Sequence, residues 1–217
     1  MAIDLERRGV RQAGSVSAKT TSASPLDPFM PAYDVAERHE IAIAAPAGIT
    51  MAAARDMDIY RSPLVRIIFA IRTLPARLRG APPREPASLL SETLALGWRV
   101  LADQPGHAIV VGAVTQPWHA DVRFRGLAPE AFVAFAEPGY AKIAWTLEAI
   151  PLGPSTSRFR TETRVSTTDA RARRLFRRYW AVFSPGILLI RRASLGLVKA
   201  EAERRFRWTG QSGAGAH

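Results

Sequence analysis

The chain has 217 residues, 47% of them hydrophobic and 23% charged, which suits one folded domain with tails and lies outside the range of hydrophobicity-poor disordered chains. It contains no cysteine, which excludes disulfides, thiolate catalysis and cysteine-ligated metal centres. The net charge of +11 rests on 27 arginines against three lysines, and it is concentrated between Asp169 and Trp208, where ten arginines and one lysine face three acidic residues. A basic face of this kind can steer anionic partners. No aromatic-interleaved basic motif accompanies it, so the expectation is no specific nucleic acid, with transient contact to an anionic membrane surface or an acidic protein as the alternative use of the basic helices.

Residues 1–32 include the small polar run Ser15–Pro25 and are expected to form a disordered leader. No 7–15-residue apolar core marks a secretory signal, so the default compartment is the cytoplasm. His39, Ile41 and Ile43 alternate with Arg38, Glu40 and Ala42, the period of a strand with one buried face. Ile49–Asp56 can form a short helix. A second helix is expected from Pro63, with Leu64, Ile67, Ile68, Ile71, Leu74 and Leu78 on one stripe and a kink at Pro75. The proline-rich run Gly80–Pro86 reads as a connector, and Ser88–Leu96 as another short helix.

Strands then dominate. Trp98–Ala102 and Ala108–Val114 read as a hairpin across Asp103–His107, Asp121–Arg125 as a weaker strand, and Pro129–Phe135 as a short helix opened by proline. Tyr140–Ile150 and Ser157–Thr167 carry the clearest alternation. Matching the apolar faces of Ile143, Trp145 and Leu147 with those of Phe159, Thr161, Thr163 and Val165 sets the register parity, and one compatible register places Glu148 opposite Arg160. The other face carries Arg158, Arg160, Glu162 and Arg164, expected to be an outward-facing charge ladder. Thr168–Asp169 caps a helix running from Ala170 to about Arg207, interrupted and kinked at Ser184–Gly186, and residues 209–217 form a tail. The longest uninterrupted apolar runs fall far below the ~20 residues of a bilayer span, so no integral membrane segment is expected.

This order gives an α+β class, with helices collected on one face of a curved antiparallel sheet. Together with Ala136–Trp145, Thr161–Val165 and Arg177–Trp180, it resembles the START-like or SRPBCC superfamily, in an uncharacterised bacterial branch, over roughly Tyr33 to Trp208. The resemblance implies a helix-grip fold over residues 33–208, in which the sheet wraps the last helix around an apolar cavity. It fixes no catalytic residue, because members bind lipids, assist polyketide cyclisation or have no known ligand.

Metal chemistry lacks ligands at the required spacing: His39-Glu40 is followed by isoleucine at position 43 where a zinc-protease helix needs a second histidine. Glycine-rich phosphate loops and the nucleophile-elbow motif are missing, so no cofactor is expected. The candidate site is an apolar pocket lined by Trp145, Leu147, Phe159, Thr161 and Thr163 from the strands and by Phe176, Tyr179 and Phe183 from the helix, the alternative being that the same side chains fill a packed core. Trp118 and His119 stand either at its mouth or as a surface-loop pair, and Tyr140 is a further candidate. The two threonine hydroxyls on a buried face call for hydrogen-bond partners, which a ligand or water can supply. The expected function is non-catalytic binding of a hydrophobic small molecule, such as a lipid, an isoprenoid or a polyketide-like aromatic. A cyclase or aromatase reading would need an acid/base set drawn from His119, Tyr140, Tyr179 and Arg99.

Overall fold

The computed structural model describes residues 23–58, 88–119 and 121–214. The expected helix from Pro63, the Gly80–Pro86 connector and most of the leader lie outside the described residues. The strands are β1 (Val35–Ile43), β2 (Arg99–Gln104), β3 (Ala108–Thr115), β4 (Phe124–Arg125), β5 (Ala141–Gly153) and β6 (Thr156–Thr167). The helices are α1 (Ala47–Arg55), α2 (Leu89–Ala95), α3 (Pro129–Ala134) and α4 (Ala170–Ala214). The strands form one sheet in the order β1-β6-β5-β3-β2, with β4 also on β3, and the described pairings are all antiparallel. Several residue choices set the boundaries. Ser88 caps α2 by accepting a bond from the Ser91 amide at 3.2 Å, and Asp169 caps α4 by accepting one from the Ala172 amide at 2.8 Å. Gly97, at φ +100°, turns α2 into β2 against the Phe124 carbonyl, where a side chain would collide.

The β5–β6 hairpin has the expected parity, and Glu148 does face Arg160, with a 2.7 Å ion pair. Its connection is tighter than expected, since pairing continues to Gly153 and Thr156. On the concave face Ile43, Leu147, Ala149 and Phe159 pack with Met51, Ala53 and Ala54 of α1 and with Leu195, Val198 and Ala202 of α4. Fully burying side chains of this size contributes about 1.5–3 kcal/mol each. The result is an α+β helix-grip arrangement, a curved antiparallel sheet closed by the long last helix.

Three expectations are corrected. The leader does not extend to residue 32: Ser24–Met30 turns back over the convex face, where Leu26 and Met30 pack against Leu101, Val110, Val114, Phe132 and Ala144. This second layer also corrects the charge ladder. Glu162 and Arg164 do point away from α4, but they are 3% and 4% exposed beneath the turn. Helix α4 runs unbroken through Pro185 and continues to Ala214, beyond the expected end near Arg207. By length and hydropathy α4 could cross a membrane, with an 18-residue window of mean hydropathy 1.4 that is 11% buried. Counting uninterrupted apolar runs misses this window because arginines and small residues punctuate it.

Candidate functional site

Strand pairing builds the concave face in rows. Glu37, Thr163, Trp145 and Val111 lie side by side across β1, β6, β5 and β3, and His39, Thr161, Leu147 and Ile109 form the next row. The expected strand lining (Trp145, Leu147, Phe159, Thr161 and Thr163) therefore shares one face. Phe176 and Tyr179 meet it in a cluster with Val165, Ile143, Val35, Trp118 and Trp180. Phe176 stacks on Trp180 with ring centroids 5.8 Å apart, and Tyr179 lies 4.7 Å from Phe183.

Other expected residues fall elsewhere. Phe183 packs on Tyr179 but is 46% exposed. Trp118 joins the aromatic cluster, while His119 beside it is exposed. Tyr140 meets Phe135 edge-on at 5.6 Å and lies 5.4 Å from the Arg125 guanidinium, away from the concave rows. Arg99 is exposed on β2. No hydrogen bond or ring contact among the described residues joins His119, Tyr140 or Arg99 to Tyr179.

The threonines also differ from expectation, because each hydroxyl has a partner in the protein. Thr161 donates to the Thr146 carbonyl at 2.7 Å, and Thr163 Oγ1 accepts a short bond from Arg191 Nη2. What lacks partners is different. Arg191 Nη1 and His39 Nε2 are buried atoms without hydrogen bonds among the described residues. Glu37 Oε2 lies 3.7 Å from His39 Nε2, beyond hydrogen-bond range. Burial and the Arg191 charge hold the His39 imidazole below its usual range, so it is neutral at pH 7. Burial lowers the Arg191 guanidinium to about 10, against the attraction of Glu37, and leaves it cationic at neutral pH.

Sequence reasoning missed Glu37, His39 and Arg191 as members of this site, although a signal existed. The β1 alternation already puts His39 on the face of Ile41 and Ile43. Arg191 lies four residues before Leu195 and seven before Val198, so helical spacing carries it to the face those two bury.

Burial along α4 is uneven. Phe176, Leu195, Val198 and Ala202 are fully buried, yet no residue from 177 to 194 is, although that stretch includes Trp180, Ile187, Leu188 and Ile190. Trp145, Ile143 and Ile41 across from it are likewise only partly buried. A separate open cleft of about 510 Å³ lies between α1 and the end of α4, lined by Ile49, Ala52, Arg204, Arg205, Trp208 and Thr209. It is outside the expected lining.

Sheet and helix together have a helix-grip arrangement. No family model matches the chain, and no curated protein sequence does. Solved structures similar to it include the Zhui aromatase/cyclase from Streptomyces sp. R1128, at 17% identity and a TM-score of 0.31, covering 79% of this chain and 94% of that one. A norcoclaurine synthase point mutant from Thalictrum flavum is 13% identical with a TM-score of 0.29, covering 79% of this chain and 95% of that one. A START superfamily protein from Mycobacterium smegmatis is 10% identical with a TM-score of 0.28, covering 80% and 98%.

Proposed function

We propose that this protein binds a hydrophobic small molecule, of lipid, isoprenoid or polyketide-like type, between the concave face and residues 177–194 of α4, without catalysing its conversion. The observation that carries this reading is the uneven burial of α4. An apolar helical stretch and the partly buried Trp145, Ile143 and Ile41 leave contact surface that an apolar ligand would cover. A cyclase-type activity at the same place has less support, since His119 and Arg99 are exposed and Tyr140 packs on Phe135 beside Arg125. Titrating the full chain with dodecanoate and with a polycyclic aromatic probe, while following tryptophan fluorescence, tests the binding reading. A saturable change that is reduced in Trp145→Phe supports it. No change with any probe, in a chain that remains folded, overturns it.

A second reading is favoured by the outer side of the same helix. Val182, Phe183 and Leu189 are 71%, 46% and 45% exposed. Arg173, Arg174, Arg177 and Arg178 precede them and Arg192 follows, the mixture of apolar and basic groups that an anionic membrane surface attracts. Co-sedimentation with vesicles containing 30% phosphatidylserine, but not with purely zwitterionic ones, supports that use. Val182→Asp should weaken it, and equal recovery with both vesicle types would count against it.

A further inference from the structure

The two unpartnered atoms on the concave face contrast with the buried ion pairs of the convex face. Arg164 is buried, yet its guanidinium is ion-paired with both Glu162 and Asp27. Arg160 is paired with Glu148. Arg191 has one neutral partner, the Thr163 hydroxyl, and its Nη1 has none among the described residues although it is shielded from solvent. A guanidinium nitrogen shielded from water without a hydrogen bond is costly, and an acceptor of opposite charge reduces that cost. On the neighbouring row, His39 Nε2 is also shielded and unbonded.

The local charge states what kind of group would fit. Arg191 is positive, Glu37 is negative and acts on both Arg191 and His39, His39 is neutral, and the Arg192 charge also reaches the imidazole. The balance leaves room for one negative charge, and Glu37 disfavours a second. A monoanionic carboxylate meets that condition better than a doubly charged phosphate. It also accepts the directed N–H bonds that a guanidinium offers.

We infer that Arg191 is the anchor for the carboxylate head of an amphiphilic ligand, with Thr163 holding the guanidinium in place and His39 bordering the head group. The inference rests on the reading that the concave face binds an apolar ligand, and it adds the chemical class of that ligand: an apolar body ending in a single carboxylate. The body would lie along Trp145 and Ile41, and the head would neutralise Arg191.

The test compares dodecanoate with dodecanol, two ligands of equal chain length, by calorimetric titration of the full chain below their aggregation limits. Dodecanoate should bind about tenfold or more tightly, the scale of a charge-assisted hydrogen bond. Arg191→Met should abolish that preference, so that dodecanoate binds no more tightly than dodecanol. Should Arg191→Met fail to fold, Arg191→Lys replaces it: a compact ammonium in place of the planar fork should reduce the preference severalfold. Equal binding of acid and alcohol, or a preference that survives substitution of Arg191, overturns the carboxylate anchor and leaves the apolar-ligand reading standing. Failure of both ligands to bind overturns the two together.

Discussion

The Ser24 hydroxyl donates a 2.9 Å hydrogen bond to Glu162 Oε2, joining residues 138 positions apart. The bond belongs to a network that ties the turn at Ser24–Met30 to the convex face. Arg38 Nη2 reaches the same carboxylate oxygen at 2.7 Å, Arg164 Nε reaches Oε1 at 2.8 Å, and Arg164 Nη1 donates to the Met30 carbonyl at 2.8 Å. With Leu26 fully buried beside it, the turn is part of the domain.

Removing residues 1–31 should therefore lower the thermal midpoint by many degrees. Leu26→Ala alone should cost about 2–5 kcal/mol, the range for emptying a fully buried leucine site. Denaturant titration of both variants checks this, and unchanged midpoints would mean that the turn adds nothing to stability.

Glu162→Gln should cost about 1.5–3 kcal/mol, because it removes one of the two charge partners of a buried arginine. Hydrogen bonds from Arg164, Ser24 and Arg38 together outweigh burial and hold the Glu162 carboxyl below its usual value of 4.5. Its contribution is complete above pH 4.5 and declines as the pH falls through the lowered value. Unfolding curves at pH 7 and pH 3 should converge more closely for Glu162→Gln than for the parent chain.

His39 is a base whose value in the folded state lies below 6.5, so the unfolded chain binds its proton first. Stability should be highest above pH 6.5 and should fall as the pH drops from there toward the lowered value. Histidine proton resonances resolved by NMR should show His39 titrating below 6.5. A midpoint at or above 6.5 would refute the burial of the imidazole beside Arg191.

Thr161→Val should cost about 1 kcal/mol of stability and leave ligand affinity unaltered, since its hydroxyl is already bonded to Thr146. Pro185→Ala should raise stability by up to about 3 kcal/mol, because Pro185 lies inside a continuous helix and lacks an N–H to bond the preceding turn. Chemical denaturation of the two single variants reads both effects, and a shift in ligand Kd for Thr161→Val would reverse the first assignment.

The hairpin β5–β6 and its register parity were legible because alternation and charge agreed along both strands. The convex cover was not. Ser24–Met30 is too short to carry a period, and the burial of Leu26 and Met30 depends on a surface assembled by distant strands. The Glu162 and Arg164 row misled for a related reason: alternating charges signal water only when nothing lies over them. In the site, parity placed Trp145, Leu147, Phe159, Thr161 and Thr163 correctly on one face. It could not show that the threonines would be satisfied by the protein itself while Arg191 would not. That distinction depends on which helix turn lies over which sheet row.

The position of β1 also sets an order of assembly. Among the described residues it pairs in the sheet with β6 along all nine of its positions, with Val35 opposite Val165 and Ile43 opposite Ser157. Hairpin β5–β6 can close locally across Pro154 and Ser155, whereas β1 and the turn before it must wait for that hairpin. Contacts this distant in sequence slow folding, because a long loop has to close before they are gained. On the ribosome, the first forty-odd residues emerge well before their partners do. Until β6 has been synthesised, β1 presents an unpaired edge and one apolar face, so the interval between synthesis of β1 and of β6 is when the nascent chain is most exposed to aberrant pairing.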